Sequence, residues 1–305
     1  MRATTLKTAL LSNALFSVLS VLIFIIFSPS VAELMGIGQP VIYQILGVGL
    51  LGFAGVVAWT GTREPIDTLL AALISIADFA WVVGTLILIT VALGALQPAG
   101  IGVLLAIAAI VLFFGVRQLQ GIGKVYAVSG KPRTHMLCVA VDTPASPDEI
   151  WSVIADLASI NQYSPNITTV TLKNKAEPGI DAVRQCTDVN GKSWSEYCRR
   201  YDEQAREVEF EFLADEPDFP YPFKTMLGGW EVEPSEAGST VNIWFEVTPK
   251  YGIAHPIILA LMTRNLARDF GDIVARMTLA AEGEAVPVQI SPTHQGIRST
   301  LAPCH

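Results

Sequence analysis

The segment TPASPDEIWSVIADLASINQYSPNITTV, residues 143–170, decides how the second half of the chain is interpreted. Ser146 and Glu149 flank Pro147 at the spacing of a capping box, which is the pattern that opens a helix. The apolar residues that follow supply one helical face, and a second short helix is predicted at about 158–163. A β-strand is predicted directly after these two helices.

The rest of this half is predicted to consist of strands closed by one long helix. The helix at about 256–281 carries an apolar stripe at spacings of three and four residues. The strands are predicted from alternating apolar and polar residues and from turn signals. They cover 135–141, 168–173, 182–188, 193–201, 207–212, 230–233 and 240–247. This order predicts an α+β domain in which the long helix packs against a curved antiparallel sheet.

The first 125 residues are of a different kind. They contain five Lys/Arg and four Asp/Glu, whereas residues 126–305 contain fifteen and twenty-four. A bilayer core of about 30 Å is crossed by about 20 helical residues, and four apolar runs are long enough. None of them has the polar face of a helix on a soluble protein. The runs, at 9–27, 41–59, 69–93 and 99–116, predict an all-α bundle of four membrane-spanning helices.

The loop charges predict the orientation of this bundle. Loops 28–40 and 94–100 contain no Lys or Arg, and the basic residues flank the opposite ends of the runs. The positive-inside rule therefore predicts an integral membrane protein, of a bacterial cytoplasmic membrane, whose N-terminus and C-terminal domain are cytoplasmic. The predicted plan is a membrane domain at 1–125, a linker at 126–132, a soluble domain at 133–283 and a disordered tail at 284–305.

One acidic residue, Asp78, lies about 16 Å into the third apolar run. An acid near the bilayer centre costs about 2.5–3.5 kcal/mol on insertion scales, so such residues are candidates for a functional role. Asn13 or Gln44 on other helices is the predicted hydrogen-bond partner of Asp78. The alternatives are a polar contact that fixes the packing of the bundle and a role in signalling. A transporter is disfavoured, because no relay of acidic partners accompanies Asp78.

The glycines of GVGLLG, residues 47–52, match a dinucleotide-binding fingerprint in spacing only. That motif requires a strand that turns into a helix with free backbone N–H groups, and here it lies inside a predicted membrane helix. Gly49, Gly52 and Gly55 are instead predicted to allow close packing between helices.

Three segments resemble a known superfamily: the opening segment 143–170, PGIDAVRQCTDVNGKSWSEYCRRYDE at 178–203, and GSTVNIWFEVTPKYG at 238–252. Together they resemble the START-like (SRPBCC) superfamily, which includes the polyketide cyclase/dehydrase and lipid-transport proteins. The resemblance covers about 133–283 and contains no diagnostic catalytic motif. It implies a helix-grip fold whose sheet wraps around the long helix and encloses a cavity for an apolar or amphipathic ligand.

The Asn190-Gly191 turn sets the register of the central strands. A two-residue turn would place Cys186 and Cys198 on opposite faces of the sheet, so that no disulfide joins them. A slip of one residue would place them on one face, still not directly paired. Two thiols without nearby histidines, in a reducing compartment, do not make a zinc site. The sequence therefore predicts neither a metal site nor a cofactor.

The loop after Tyr201 decides which residues of the preceding strand face the cavity. A five-residue loop turns inward Glu196, Cys198 and Arg200. A four-residue loop turns inward Ser195, Tyr197 and Arg199. The resemblance favours the first set, because relatives such as plant hormone receptors of this fold often carry an inward glutamate six residues before the turn acid, here Asp202. The predicted ligand-binding residues are Glu196, Arg200, Phe210, Phe212, Trp230, Phe245, Met262, Leu266 and Phe270.

These observations predict a membrane-tethered module that binds or transports a hydrophobic ligand, such as a lipid or a polyketide-like compound. One alternative is a cyclase or dehydratase in which Glu196 is the general base and Arg200 or Tyr197 polarises a carbonyl. A second is a membrane sensor that couples ligand binding to the bundle through Asp78. The predicted partners are the hydrophobic ligand and the lipid bilayer, with no nucleic acid, and the oligomeric state is left open.

Overall fold

The computed structural model describes residues 3–174, 179–287 and 297–301. The described residues up to Tyr126 form one compact unit, and those from Ala127 onward form most of a second. The division falls close to the boundary between the apolar and the acidic half of the sequence.

Five helices build the first unit: α1 (Thr4–Ile26), α2 (Ser28–Met35), α3 (Pro40–Thr62), α4 (Thr68–Val91) and α5 (Pro98–Tyr126). All except α2 are long and apolar enough to cross a membrane, which confirms four long apolar helices in the first part of the chain. Helix α1 packs against α3 and α5, and α4 packs against α5. Helix α5 extends to Tyr126, ten residues beyond the predicted end of its apolar run.

The glycines at which these helices approach one another are not those that the sequence analysis selected. A Cβ at Gly49, Gly52 or Gly55 would meet no described atom within 4 Å, so the prediction of close packing there was wrong. A Cβ at Gly121 would lie 2.7 Å from the Cα of Leu6. Helices α1 and α5 can therefore come this close only because residue 121 has no side chain.

The second unit is a sheet of eight antiparallel strands with three helices. The strands are β1 (His135–Thr143), β2 (Ile167–Leu172), β3 (Val183–Asp188), β4 (Ser193–Asp202), β5 (Glu207–Phe212), β6 (Phe223–Ser235), β7 (Gly238–Pro249) and β8 (Arg298–Leu301). Their order is β2-β3-β4-β5-β6-β7-β1-β8. The helices are α6 (Pro147–Ile154), α7 (Ile160–Tyr163) and α8 (His255–Ala281). This is the predicted α+β helix-grip architecture.

The capping box predicted in the opening segment is present in the structure. The Ser146 hydroxyl accepts the Glu149 N–H at 3.4 Å, and the Glu149 carboxylate accepts the Ser146 N–H at 2.9 Å, which completes the capping box. At the other end of the domain, the Phe270 ring of α8 lies 5.3 Å from Trp230 on β6 and 5.6 Å from Phe245 on β7. These ring contacts fix α8 on the inner face of the sheet.

Strand β6 is much longer than the predicted 230–233. Two glycines interrupt the alternation of apolar and polar residues along it, so the sequence pattern predicted only part of its second half. Gly228 pairs with Phe245 and Gly229 with Trp244. A Cβ at Gly229 would lie 2.4 Å from the Trp244 ring, and a Cβ at Gly228 would lie 2.8 Å from the Phe245 ring. The glycines thus make room for cross-strand aromatic rings.

Two predicted segments are partly ordered. The predicted linker at 126–132 folds back in a turn: Ala127 is bridged to His135, and the Val128 N–H donates to the Thr134 carbonyl at 3.0 Å. In the tail predicted to be disordered, Arg298–Leu301 forms β8, an edge strand on β1. The open edge of β1 offers backbone groups with which this short β-prone segment can pair. Residues 288–296 and 302–305 of that tail lie outside the described residues.

His135, the first residue of β1, makes the domain sensitive to acid. It is 6 % exposed, and burial, reinforced by the neighbouring His255, lowers its pKa to about 4. An unfolded histidine titrates near 6.5, so the unfolded state binds the additional proton between these values. Stability should therefore fall as the pH falls from about 6.5 towards 4, by at most about 3 kcal/mol from this residue.

The measurement is the denaturant midpoint of the full-length protein across this pH range. His135→Leu should make the denaturant midpoint depend less steeply on pH. Other groups that titrate account for the pH dependence that remains. An unchanged slope in the variant would show that His135 does not titrate on unfolding.

Candidate functional site

The hairpin at Asn190-Gly191 has a three-residue turn, one residue longer than predicted. Thr187 pairs with Ser193, and the Asp188 N–H donates to the Lys192 carbonyl at 2.8 Å. The Asp188 carboxylate accepts the N–H groups of Asn190 and Lys192, each at 2.8 Å, and Gly191 takes a φ of +79°. This side-chain capping and the left-handed glycine select the longer turn, as in hairpins with a glycine bulge.

The one-residue shift changes which side chains share a face. Cys186 pairs with Trp194, so Cys186 and Cys198 both lie on the inner face and not on opposite faces. Both are buried and neither forms a disulfide, and they lie four residue pairs apart along the strands. The same shift places Arg184 directly opposite Glu196, a pairing that the predicted register excluded.

The next hairpin combines parts of both predicted alternatives. Asp202 pairs with Glu207, which leaves a four-residue loop. A β-bulge between Cys198 and Arg200 then shifts the register by one, so that Glu196 faces Phe212 as the five-residue loop would have placed it. A bulge adds one residue to one strand and reverses the inside–outside alternation beyond it. Glu196 and Cys198 consequently face inward, whereas Arg200 does not.

Arg200 is displaced from the predicted site. Its side chain is 56 % exposed, and its guanidinium lies 2.7 Å from Glu207 and 3.9 Å from Asp202. The bulge turns it to the outer face, where it takes part in a surface ion pair. The prediction that Arg200 faces the cavity was wrong.

Arg184 takes the position next to Glu196 that the sequence analysis gave to Arg200. The Nε and Nη2 atoms of Arg184 lie 2.7 and 2.6 Å from Glu196 Oε2, and Trp194 Nε1 donates to Oε1 at 2.8 Å. Arg184 also donates to the Leu157 carbonyl at 3.1 Å and stacks over the Phe210 ring at 4.0 Å. Glu196, 3 % exposed, is therefore a carboxylate that is neutralised and hydrogen-bonded on both oxygens.

A cavity of about 490 Å³ lies between the sheet and α8, and this buried pair forms part of its wall. Its other walls are mainly apolar and come from β1 to β7, α7, α8 and the 220–223 segment, with Asp188 and Asp269 as further acidic lining residues. Of the nine predicted ligand-binding residues, Arg200 alone does not line it. The eight that do are Glu196, Phe210, Phe212, Trp230, Phe245, Met262, Leu266 and Phe270.

The fold and the cavity agree with a comparison to protein families. Residues 136–282 match the family described as polyketide cyclase / dehydrase and lipid transport. The second unit is similar to this family over most of its length. The match covers nearly the whole second half of the chain and leaves the membrane helices outside. No curated protein matches the chain.

Several solved structures are also similar to this second unit. A putative uncharacterized protein from Bacillus thuringiensis is 16% identical, with 47% of this chain and 98% of that chain covered and a TM-score of 0.39. A point mutant of norcoclaurine synthase from Thalictrum, in complex with a transition-state analogue, is 18% identical, with 49% and 96% covered and a TM-score of 0.40. Major latex-like protein 151 from Panax ginseng is 15% identical, with 47% and 96% covered and a TM-score of 0.37.

Tyr221 is a polar residue of the cavity that the sequence analysis missed. Its ring lies 5.5 Å from Phe219, 5.9 Å from Trp194 and 6.3 Å from Phe212. Burial, and then the nearby charge of Glu196, raise the pKa of its hydroxyl, which therefore stays protonated. No other described residue hydrogen-bonds this hydroxyl, so it is available to a ligand. It lies between β5 and β6, in an irregular segment without a periodic pattern that could have identified it.

Asp78, inside the bundle, accepts hydrogen bonds from Asn13 at 2.9 Å and from Gln118 at 3.1 Å. Asn13 is thus one partner, as predicted, whereas Gln44 instead donates to Ser28 at 3.1 Å. Within the described part of the chain, no group of three or more His, Cys, Asp or Glu side chains is placed to hold a metal ion.

Proposed function

We propose that the second unit binds a hydrophobic small molecule, a lipid or a polyketide-like compound, in the cavity beneath α8. The observation that carries this proposal is the cavity itself, about 490 Å³ in volume with mainly aromatic and aliphatic walls. Small-molecule sites in proteins usually have volumes of about 300–1,000 Å³, mostly apolar walls and a few placed polar groups. Both the size and the composition of this cavity fit that class.

The Arg184–Glu196 pair favours an uncharged ligand end near β4. Arg184 and Glu196 neutralise one another at 2.6 Å, so neither carries an uncompensated charge that would demand a charged ligand. The free Tyr221 hydroxyl is a donor, so the preferred ligand carries a hydrogen-bond acceptor, such as a carbonyl oxygen, at that end. A carbonyl on an otherwise apolar body is typical of fatty acyl and polyketide-like compounds.

The contacts of Glu196 favour binding over base catalysis. A general base needs a free lone pair within about 2.6–3.2 Å of the proton that it removes. Here Arg184 occupies Oε2 with two donors, and Trp194 occupies Oε1. The carboxylate is instead arranged to hold Arg184 and Trp194 in place. The alternative of a cyclase or dehydratase that uses Glu196 as base therefore ranks second.

The four apolar helices would hold this domain at a membrane. We place both the N-terminus and the domain on the cytoplasmic side, because the loops 28–40 and 94–100 lack the Lys and Arg found at the other helix ends. Tethering raises the concentration of the domain at the bilayer surface without any new contact. A membrane-soluble ligand would thus be taken up close to its source.

The experiment is a titration of the full-length protein in lipid nanodiscs with a fluorescent apolar probe, with the signal of empty nanodiscs subtracted. Leu266 lines the cavity, so Leu266→Trp should fill part of it and weaken probe binding roughly tenfold or more. Leu261, on the same helix and 46 % exposed, provides the matched control Leu261→Trp, which should bind like the wild type. Equal binding by both variants would contradict the proposal.

A further inference from the structure

A second candidate site lies inside the membrane bundle. Five buried polar side chains from three helices meet there, and together they are called the Asp78 cluster: Asn13 and Ser17 on α1, Ser75 and Asp78 on α4, and Gln118 on α5. Asn13 and Gln118 donate to Asp78, Ser75 donates to the Gln118 carbonyl at 3.0 Å, and Ser17 contacts the Asn13 carbonyl at 3.5 Å.

The hydrogen bonds of the cluster do not satisfy Asp78. Both amide groups donate to the same oxygen, Oδ2, at 2.9 and 3.1 Å. No described residue donates to Oδ1, although Asp78 is only 3 % exposed. Leaving a polar atom without a partner in an apolar medium costs several kcal/mol. A purely structural contact would be expected to close on both oxygens, so the open Oδ1 points to a missing donor.

An apolar cavity lies beside Asp78. It has a volume of about 350 Å³, and Asp78, Asn13, Ser17 and Ser20 are its polar wall residues. The remaining lining residues are apolar side chains and Gly49, from all four long helices. The cavity runs between α3 and α4, which pack mainly against α1 and α5 and only slightly against each other. No Lys or Arg lines it to balance the Asp78 carboxylate.

A second cavity lies next to this one along the bundle. This second cavity has a volume of about 470 Å³ and is also mainly apolar. The two share the wall residues Phe24, Leu46, Ala77, Trp81 and Ile107. The second extends along α4 as far as Leu88, which is ten residues or about 15 Å from Asp78. The combined space is long and apolar, with its polar group towards one end.

We propose that the bundle binds a single-chain amphiphile whose polar end is a hydrogen-bond donor, an amine or an alcohol. The donor would bind Asp78 Oδ1, and the hydrocarbon chain would lie along the two adjacent cavities. A donor is required because Asn13 and Gln118 already supply the two bonds to Oδ2. This site is separate from the cavity of the soluble domain and does not depend on the function proposed for it.

Trp81 allows binding to be measured directly, because it lines both cavities. The full-length protein in nanodiscs is titrated with dodecylamine and with dodecanol, each brominated near the chain end to quench tryptophan fluorescence. The quenching of Trp81 is the difference between the wild type and Trp81→Phe. Saturable quenching by at least one probe is expected.

Two glycines of α3 give a matched pair of variants. A Cβ at Gly49 or at Gly52 would meet no described atom within 4 Å, but Gly49 alone lines the cavity. Gly49→Phe should fill the cavity and weaken binding roughly tenfold or more, whereas Gly52→Phe should leave it unchanged. If Gly49→Phe leaves binding unchanged, or if quenching rises without saturation and equally in all proteins, the proposal is overturned.

Asp78→Asn distinguishes the two donors. If Asp78→Asn weakens dodecylamine binding roughly tenfold and leaves dodecanol binding unchanged, the ligand's polar end is a protonated amine. The variant would then have lost a charge-assisted hydrogen bond. Comparable loss of both probes would assign a neutral donor such as an alcohol. If binding of neither probe changes, Asp78 does not receive the ligand and the proposal is overturned.

Discussion

Arg184→Met is expected to lower the free energy of unfolding of the soluble domain by about 3–5 kcal/mol, because it leaves Glu196 as an uncompensated buried charge. Glu196 is 3 % exposed, and Arg184 supplies two close donor contacts to one of its oxygens. Urea unfolding of the full-length protein, followed by tryptophan fluorescence, measures the change.

Two further variants separate the buried charge from other effects of the substitution. Arg200→Met breaks an ion pair with Glu207 whose arginine is 56 % exposed, so it should cost at most about 1 kcal/mol. Arg184→Met combined with Glu196→Met should recover most of the stability, since an apolar pair can replace a buried ion pair. If Arg184→Met and Arg200→Met had equal effects, the buried pair would not have the structural role described above.

Gly121→Val is expected to destabilise the membrane bundle by about 1–3 kcal/mol, the usual range for an overpacked contact. The atoms that its Cβ would meet are the backbone Cα and N of Leu6, at 2.7 and 2.8 Å. No side-chain rotation can relieve this clash, so α1 would have to move away from α5. Thermal unfolding of the full-length protein in detergent, followed by far-ultraviolet circular dichroism, should show a lower Tm for the helical transition.

Gly52→Val is the matched control for this prediction. It introduces the same residue into the interior of another long helix, at a position where a Cβ would meet no described atom within 4 Å. Any difference between the two variants therefore reports the contact between α1 and α5 and not the helix propensity of valine. Equal Tm values for the two variants would contradict the packing described for Gly121.

Much of the fold could be predicted because its signals are local. The capping box at Ser146 and Glu149 needs only four residues, and the membrane helices need only continuous apolar runs. The stripe of α8 that includes Met262, Leu266 and Phe270 follows from helical periodicity, and these residues line the cavity as predicted. A periodic pattern shows which residues of a helix or strand are buried, and most residues of the cavity wall are buried apolar residues of this kind.

The polar part of the site could not be predicted, because it depends on register. The Asp188 carboxylate selects a three-residue turn, and this shift of one residue brings Arg184 to Glu196. The bulge before Arg200 leaves no signal in the amino-acid pattern, yet it decides that Arg200 faces solvent. Alternation with a period of two residues cannot distinguish registers that differ by such local features.

The most direct test of ligand binding by the soluble domain is mass spectrometry of the compounds that co-purify with the full-length protein. After solvent extraction, the wild type and the exposed control Leu261→Trp should yield the same apolar compound, and Leu266→Trp should yield much less of it. A compound recovered equally from all three proteins would come from the surrounding lipid or detergent. That result, or repeated recovery of an empty protein that binds no apolar probe, would contradict a ligand site beneath α8.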